Sequence, residues 1–489
     1  MAFRLSDIVE EARLSARALK DFGDHFFNPT VRLGVTGLAR AGKTVFITAL
    51  IHGLTRGGRF PVFEPFATGR IARARLEPQP DDAVPRFDYE NHVRTLIEAR
   101  RWPSSTVDIS ELRLVIDYQR QNGADRSLTL DIVDYPGEWL LDLPLLNKSY
   151  EQWSNESLAL SRASPRAPLA ASWHAYLASL SAEGQADEQA ALSAARLFTE
   201  YLRACRDERF AMSLLPPGRF LMPGNLADSP ALTFAPLDLP EHGAAPDGSL
   251  WAMMHRRYEA YKDVVVRPFF RDHFARLDRQ VVLVDALSAF NSGPEALVDL
   301  EAALAGILDC FRIGRSTLFS ALLRPKIDRI LFAATKADHL HHSSHDRLEA
   351  VLRRAVAMAV VKAADTGADI DVVALAAVRA TREAMVARGR EKLPSILGTP
   401  ASGEKAGGET FDGNTEVATF PGDLPVDPEE LFKDKTAFRG LSSASAEKTD
   451  FRFLRFRPPL LENEGPDGPA LPHIRLDRAL QFLIGDKLQ

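Results

Sequence analysis

Eight consecutive residues, Gly37-Leu38-Ala39-Arg40-Ala41-Gly42-Lys43-Thr44, have the types and spacing that hold a phosphate. The two glycines let the loop turn its backbone N–H groups around an anion, and a helix starting at its end adds a favourable dipole. Lys43 supplies a positive charge for β- and γ-phosphates, and the Thr44 hydroxyl suits Mg²⁺. Phosphate contacts are therefore expected from Gly37, Ala39, Arg40, Ala41, Gly42, Lys43, Thr44 and Val45. Arg40 has three options, the phosphates, a partner or solvent, and the solvated one is favoured. The ligand class implied is a nucleoside triphosphate.

Two further motifs lie at the ends of apolar runs. LTLDIVD (residues 128–134) leads into Asp134-Tyr135-Pro136-Gly137. A strand that delivers a carboxylate at its C-terminal end places it where open α/β sheets bind ligands. Asp134 is thus expected to hold Mg²⁺ through water, beside Thr44. Gly137 lets a backbone N–H approach a γ-phosphate with no Cβ in the way. RILFAA (residues 329–334) runs into Thr335-Lys336-Ala337-Asp338. It is similar to the (N/T)KxD loop of guanine-nucleotide sites, whose first position is usually Asn and whose aspartate accepts both hydrogen bonds from the N1–H and N2–H₂ edge of guanine while the lysine stem covers the base. Adenine cannot make that pair, so the carboxylate selects against it.

These loops need elements to hold them. Val31, Leu33 and Val35 read as a strand before the glycine loop, and residues 43–53 as a helix after it. Residues 107–118 and 128–134, joined through Gln121-Asn122-Gly123, read as a hairpin. Residues 54–103 are mostly polar, with a helix at 89–100. Between residues 140 and 279 lies a long insertion with helical periodicity at 145–158, 169–180, 186–205 and 258–274, and a turn-rich loop at 216–225. Joined directly to Gly137, it would couple nucleotide state to the position of its helices. Residues 5–22 read as an amphipathic helix, expected to pack on the domain edge. HLHHSSHD, with four histidines in residues 339–345, reads as a solvated helix start rather than a metal site. Residues 398–449 shift to Gly, Ser, Glu, Lys and Pro, a long excursion. FRFLRF at 451–456 reads as an edge strand, and residues 476–488 as a helix covering the sheet.

The ordered motifs resemble the Ras-like class of P-loop GTPases. More narrowly, GLARAGKTVFITALIHGL, DIVDYPGEWL, FAATKADHL and RLDRALQFLIGDKL resemble the YcjX-type family of bacterial stress-associated P-loop proteins. The resemblance implies a guanine-nucleotide-binding core with a helical insertion. It makes residues 281–285 the next core strand and 371–374 the sixth, followed by a base-contact loop containing Ala377 and Val378. It also implies a switch threonine ahead of the strand ending in Asp134. Thr106 is the candidate, with Thr95, Ser104 and Ser105 as competitors. Where many members of the class carry a water-orienting glutamine, this chain has Glu138. A glutamate there can orient water or act as a weak base, yet it repels a γ-phosphate, so turnover is expected to be slow. Arg219, Arg267 and Arg271 are candidates for an arginine finger, with surface or structural pairing the favoured role for each.

Composition sets the remaining limits. A net charge of −6 argues against a general nucleic-acid binder, because no global positive field attracts phosphate backbones. Two cysteines, far apart, suggest neither a disulfide framework nor a zinc site. No apolar run reaches the roughly 18 residues of a membrane span. The setting expected is cytoplasmic, or peripheral to the inner membrane.

The expected fold is α/β, a P-loop NTPase of the Ras-like type with a mostly parallel central sheet and a large α-helical insertion. Its divisions are an N-terminal helix (1–27), core (28–140), insertion (141–279), core (280–400), excursion (401–450), and edge strand with C-terminal helix (451–489). The expected activity is slow GTP hydrolysis used as a switch. Lys43, Glu138 and Thr106 are its catalytic candidates, and Thr44, Thr106 and Asp134 those for Mg²⁺. Partners are GTP or GDP and a protein docked on the insertion, a membrane-associated one among the options. A scaffold that barely turns over and an ATP-using protein are the alternatives.

Overall fold

Apolar side chains at alternate positions make Thr30–Gly37 the first strand, β1, which pairs in parallel on both sides. The computed structural model describes residues 29–38, 40–227, 229–240, 243–310, 327–364, 367–388, 391–406, 408–433, 453–461 and 469–489. The helix expected within residues 1–27, and Ala39, lie outside the described residues. The other strands of the central sheet are β2 (Ile71–Glu77), β3 (Ser110–Gln119), β4 (Asp125–Asp134), β5 (Arg279–Val284), β6 (Arg329–Ala334) and β7 (Asp369–Ala374). Their order is β2-β3-β4-β1-β5-β6-β7. The five strands from β4 to β7 run parallel, and β2 and β3 extend the sheet antiparallel. The mostly parallel α/β fold expected from the motifs is the one observed.

The expected hairpin is β3–β4, turning at Asn122-Gly123, where Gly123 takes a φ of 84°. β2 was not foreseen. Its IARARLE sequence buries a single side chain, Ala74, and it is recognised by its ladder to β3 and by ion pairs from Arg73 and Arg75 to Asp117. Polar edge strands carry little periodic signal.

The helix Lys43–Thr55 and the C-terminal helix Leu476–Ile484 cover one face of the sheet. The other face is covered by Pro294–Cys310, His345–Ala364 and the insertion. The insertion opens with a 3-10 segment, Gly137–Asn147. It continues through helices Tyr150–Arg162, Ala171–Leu177, Glu188–Arg206, Leu250–Tyr261 and Arg267–Asp272, the last two joined by a π turn at Lys262–Val266. Trp139, Trp153, Trp173 and Trp251 fill its interior, with Trp153 stacked on Tyr258 at 5.1 Å. That apolar interior is continuous with Val282, Val284 and Phe332 of the sheet. Among the described residues no helix is long and apolar enough to cross a membrane.

One expectation fails. Residues 453–456 form no edge strand of the central sheet. Phe456 makes a single antiparallel bridge to Pro400, and Leu454 and Phe456 bury against Ala380 and Ile396 in a small separate core. That core belongs to a three-stranded antiparallel sheet of β8 (Arg382–Arg388), β9 (Glu391–Gly398) and β12 (Val417–Thr419), beside a short hairpin of β10 (Lys405–Ala406) and β11 (Glu409–Thr410). Leu454 and Phe456 thus meet this second core, whereas Phe453 packs against the large apolar cluster of the insertion and sheet.

A buried ion pair ties the insertion to the helix Pro294–Cys310. Arg166 lies 2.5 Å from Asp299, which also accepts from the backbone N–H groups of Ser213 and Leu214 at 2.6 and 2.9 Å. Removing one partner of a buried pair leaves an uncompensated charge. Arg166→Met is expected to lower unfolding stability by about 3–5 kcal/mol in denaturant titration. A loss under about 1 kcal/mol, the range of exposed pairs, would show that the pair is not structural.

Candidate nucleotide-binding site

The parallel strands end at one level. Val35 pairs with Asp134, Gly37 with Leu283, and Ala334 with both Val284 and Ala374. Beyond those ends opens a cavity of about 970 Å³. Residues 40–46, 102–106, 207–209, 375–378 and 403–405 line it, with Asp285, Thr335, Lys336, Asp338, His339, Phe453, Arg455 and Phe456. Of the residues expected from sequence, Arg40, Ala41, Gly42, Lys43, Thr44, Val45, Thr106, Thr335, Lys336, Asp338, Ala377 and Val378 stand in this wall. Gly37, Asp134, Gly137 and Glu138 are buried and are not among the lining residues.

The glycine loop is bent by two left-handed residues, Arg40 at φ 62° and Gly42 at φ 81°. Gly42 starts the helix Lys43–Thr55 without a side-chain cap, and no acidic residue sits in its first turn. The helix's leading N–H groups are therefore not claimed by a side chain, and its dipole faces the cavity, which favours an anion there. Lys43 Nζ donates to Gly37 O at 3.4 Å.

Beneath the loop the oxygen groups converge. Thr44 Oγ1 and Thr106 Oγ1 are 3.3 Å apart, and Thr106 Oγ1 donates to Asp134 Oδ2 at 2.5 Å. Ser104 approaches through its carbonyl, 3.4 Å from Thr44 Oγ1. Thr95 instead donates to Asn91 on its own helix. Asp134 is fully buried, and its Oδ1 has no hydrogen-bond partner. Burial pushes its carboxyl up to about 6, against the opposing charge of Lys43 and the Thr106 hydrogen bond. A buried oxygen without a partner, beside two hydroxyls, is a donor set suited to a hard dication.

At the far end, Lys336 takes a φ of 61° and its ammonium lies 2.5 Å from Asp285 Oδ2. Asp285 also caps the next helix by accepting from Ser288 N at 3.1 Å. Asp338 Oδ2 accepts from Ala380 N at 2.8 Å, and the Thr381 hydroxyl donates to the Asp338 carbonyl. The loop after β6 is thereby tied to the loop after β7.

The insertion reaches the site at three points. Glu138 pairs with Arg206, at the end of Glu188–Arg206, at 2.7 Å. Arg40 pairs with Glu208 at 2.9 Å, rather than standing alone in solvent, and Glu208 also holds Arg455 at 3.0 Å. Gly218 packs on the Glu138 backbone, its amide donating to Asp142 at 2.6 Å. Burial raises the Asp142 carboxyl to about 6. Arg219 lies over the Trp139 ring at 3.2 Å, Arg267 pairs with Asp263 and Arg271 with Asp272, and none of the three lines the cavity.

Sequence reasoning missed several wall residues. Asp285 had a visible signal, a carboxylate ending an apolar strand in the manner of Asp134. Glu208, Trp102, Arg455 and Phe456 come from segments read as insertion, polar connection and edge strand, and only tertiary packing brings them to the cavity. Nor are the histidines of residues 339–345 uniformly solvated: His339, His341 and His345 are buried.

The chain is similar to proteins whose whole length it matches. It is 36% identical over 484 residues to the Ras-like GTPase YcjX of Escherichia coli (strain K12), covering 94% of this chain and 96% of the relative. It is 34% identical over 486 residues to the Ras-like GTPase YcjX of Shewanella oneidensis, covering 94% and 95%. The sequence model of the YcjX-like family, DUF463, matches residues 31–488, and the chain belongs to that family.

Proposed function

We propose that this protein binds GTP with Mg²⁺, hydrolyses it slowly, and uses the GTP and GDP states to reposition its helical insertion. One observation carries the reading: the phosphate loop, the Thr44–Thr106–Asp134 cluster and the Thr335–Asp338 loop meet around one cavity. The two relatives named as Ras-like GTPases support it.

In this reading the loop N–H groups of residues 40–44 and the Lys43 ammonium bind the phosphates, with Lys43 leaving Gly37 O to do so. The Thr44 and Thr106 hydroxyls and the Asp134 carboxylate would hold Mg²⁺. Bound there, the ion would offset negative charge on the β- and γ-phosphates. Asp338 accepts from the guanine edge while the Ala380 amide keeps its carboxylate oriented. Glu138 follows the γ-phosphate-sensing Gly137 but is held by Arg206, which keeps its charge compensated and supplies no free base for water. That pairing is the specific observation favouring slow turnover, and it gives weight to the rival reading of a nucleotide-regulated scaffold.

Three measurements test this. Equilibrium binding is expected to favour GDP over ADP, and Asp338→Asn to shift preference toward xanthosine diphosphate by one to two orders of magnitude, roughly 1–3 kcal/mol. Equal affinity of the unmodified chain for GTP and ATP would overturn the guanine reading. Burial pushes the Asp134 carboxyl up from 3.8 to about 6, so in mildly acidic solution it holds a proton that must leave before a dication binds. Mg²⁺-dependent nucleotide affinity should therefore fall from pH 7 to 5 more steeply than titration of the nucleotide's own terminal phosphate accounts for, and in Asp134→Asn, where binding is weaker, that extra steepness should be lost. A fall no steeper in the unmodified chain than in Asp134→Asn would remove Asp134 from the metal site. Single-turnover assays should show slow phosphate release from GTP. No release under any condition would leave the scaffold reading in place of the enzyme.

A further inference from the structure

Two of the four clustered histidines face a carboxylate from a distant part of the chain. His341 and His342 have ring centroids 4.2 Å apart, and His342 Nδ1 lies 2.9 Å from Glu383 Oε2. One ligand atom from each of His341, His342 and Glu383 lies within 4.8 Å of the others. Two imidazole nitrogens and one carboxylate oxygen are the donors preferred by borderline-soft dications, and three protein ligands leave a position for water. We propose that His341, His342 and Glu383 form a binding site for a first-row transition dication of the zinc class, which staples the two base-contact loops together.

The local construction fits this role. The Ser343 hydroxyl stands 2.9 Å from His341 Nδ1 and orients that buried ring, leaving Nε2 as its binding nitrogen. Arg379 approaches the opposite oxygen of Glu383, Oε1, at 3.4 Å, which leaves Oε2 on the histidine side. His342 and Glu383 are exposed, so an ion enters from solvent without opening the fold. On binding, the ion takes the place of the proton between His342 Nδ1 and Glu383, which leaves to solvent, while His341 shifts its single ring proton from Nε2 to Nδ1, from which it donates to Ser343 Oγ.

Position gives the site its consequence. His341 and His342 follow Asp338 closely, and Glu383 stands at the start of β8, shortly after Ala380, whose amide already holds Asp338 Oδ2. A dication there would add a second, stronger tie between the same two loops. Resting on the guanine reading, the further consequence is that the occupied site slows nucleotide exchange.

The test uses the untagged full chain, stripped with chelator and titrated with Zn²⁺ alone by calorimetry. One ion per chain is expected, with His342→Ala and Glu383→Gln each weakening it about tenfold or more. No binding, or equal affinity in both variants, overturns the site. Amide exchange over residues 376–383 should slow with Zn²⁺ in the wild type and not in His342→Ala. Exchange indifferent to Zn²⁺ in the wild type overturns the staple. Neither readout contains a nucleotide, so both are decided separately from the guanine reading, which rests on the GTP and ATP affinities. Release of bound GDP should slow severalfold with Zn²⁺ in the wild type alone, and a zinc-independent rate overturns the regulatory consequence.

Discussion

Two backbone contacts made possible by glycine connect the phosphate loop to the insertion. A Cβ added to Gly137 would stand 2.1 Å from the Gly37 carbonyl oxygen, and one added to Gly218 would stand 1.9 Å from the Glu138 carbonyl oxygen. Main chain lies directly on main chain at both places, with no flexible side chain between to absorb a shift. Close-packed interiors transmit displacement rather than damping it. In the proposed switch, motion of the glycine loop would pass through these contacts to residues 137 and 138, and from there to the turn at Gly218. Asp142 locks the second contact by accepting from the amides of Gly218 and Arg219 and from the Tyr261 hydroxyl.

The electrostatic links between core and insertion differ in weight. Arg40 and Glu208 are each nearly half exposed, and a pair of that kind contributes about 0–1 kcal/mol. The Glu138 carboxylate is buried, so parting it from Arg206 costs several times more. The helix Glu188–Arg206 is seated by its buried apolar face, and the buried pair holds its C-terminal end more firmly than the exposed pair holds Arg40. Asp285 and Lys336 form a further pair at the far end of the cavity, where the capping bond to Ser288 also holds the carboxylate.

The central sheet was legible from the sequence because buried strands and glycine-bearing turns leave strong local marks. VRLGV, LTLDIV and RILFAA each announce themselves by apolar runs, and the loops that follow carry side chains whose spacing has a chemical meaning. The meeting of Thr44, Thr106 and Asp134 was legible for the same reason, although the competitors of Thr106 lie close by. What escaped was decided by tertiary packing. β2 exists through its partner, Leu454 and Phe456 turned to a second core that local pattern does not reveal, and Glu138 met an arginine from far along the chain. Asp285 escaped for another reason: its dual use, as cap and ion-pair partner, looks from sequence like an ordinary strand end.

The placement of the five tryptophans has an optical consequence. Trp139, Trp153, Trp173 and Trp251 are buried in the insertion, whereas Trp102 is 38% exposed on the cavity wall, its indole N–H donating to Phe456 O at 2.6 Å. Four indoles are screened from solvent, with Arg219 lying over the ring of Trp139. The fifth stands where an arriving ligand would displace water and disturb its hydrogen bond. The protein therefore carries its own fluorophore at the mouth of the site, and filling of the cavity can be followed in real time without a label.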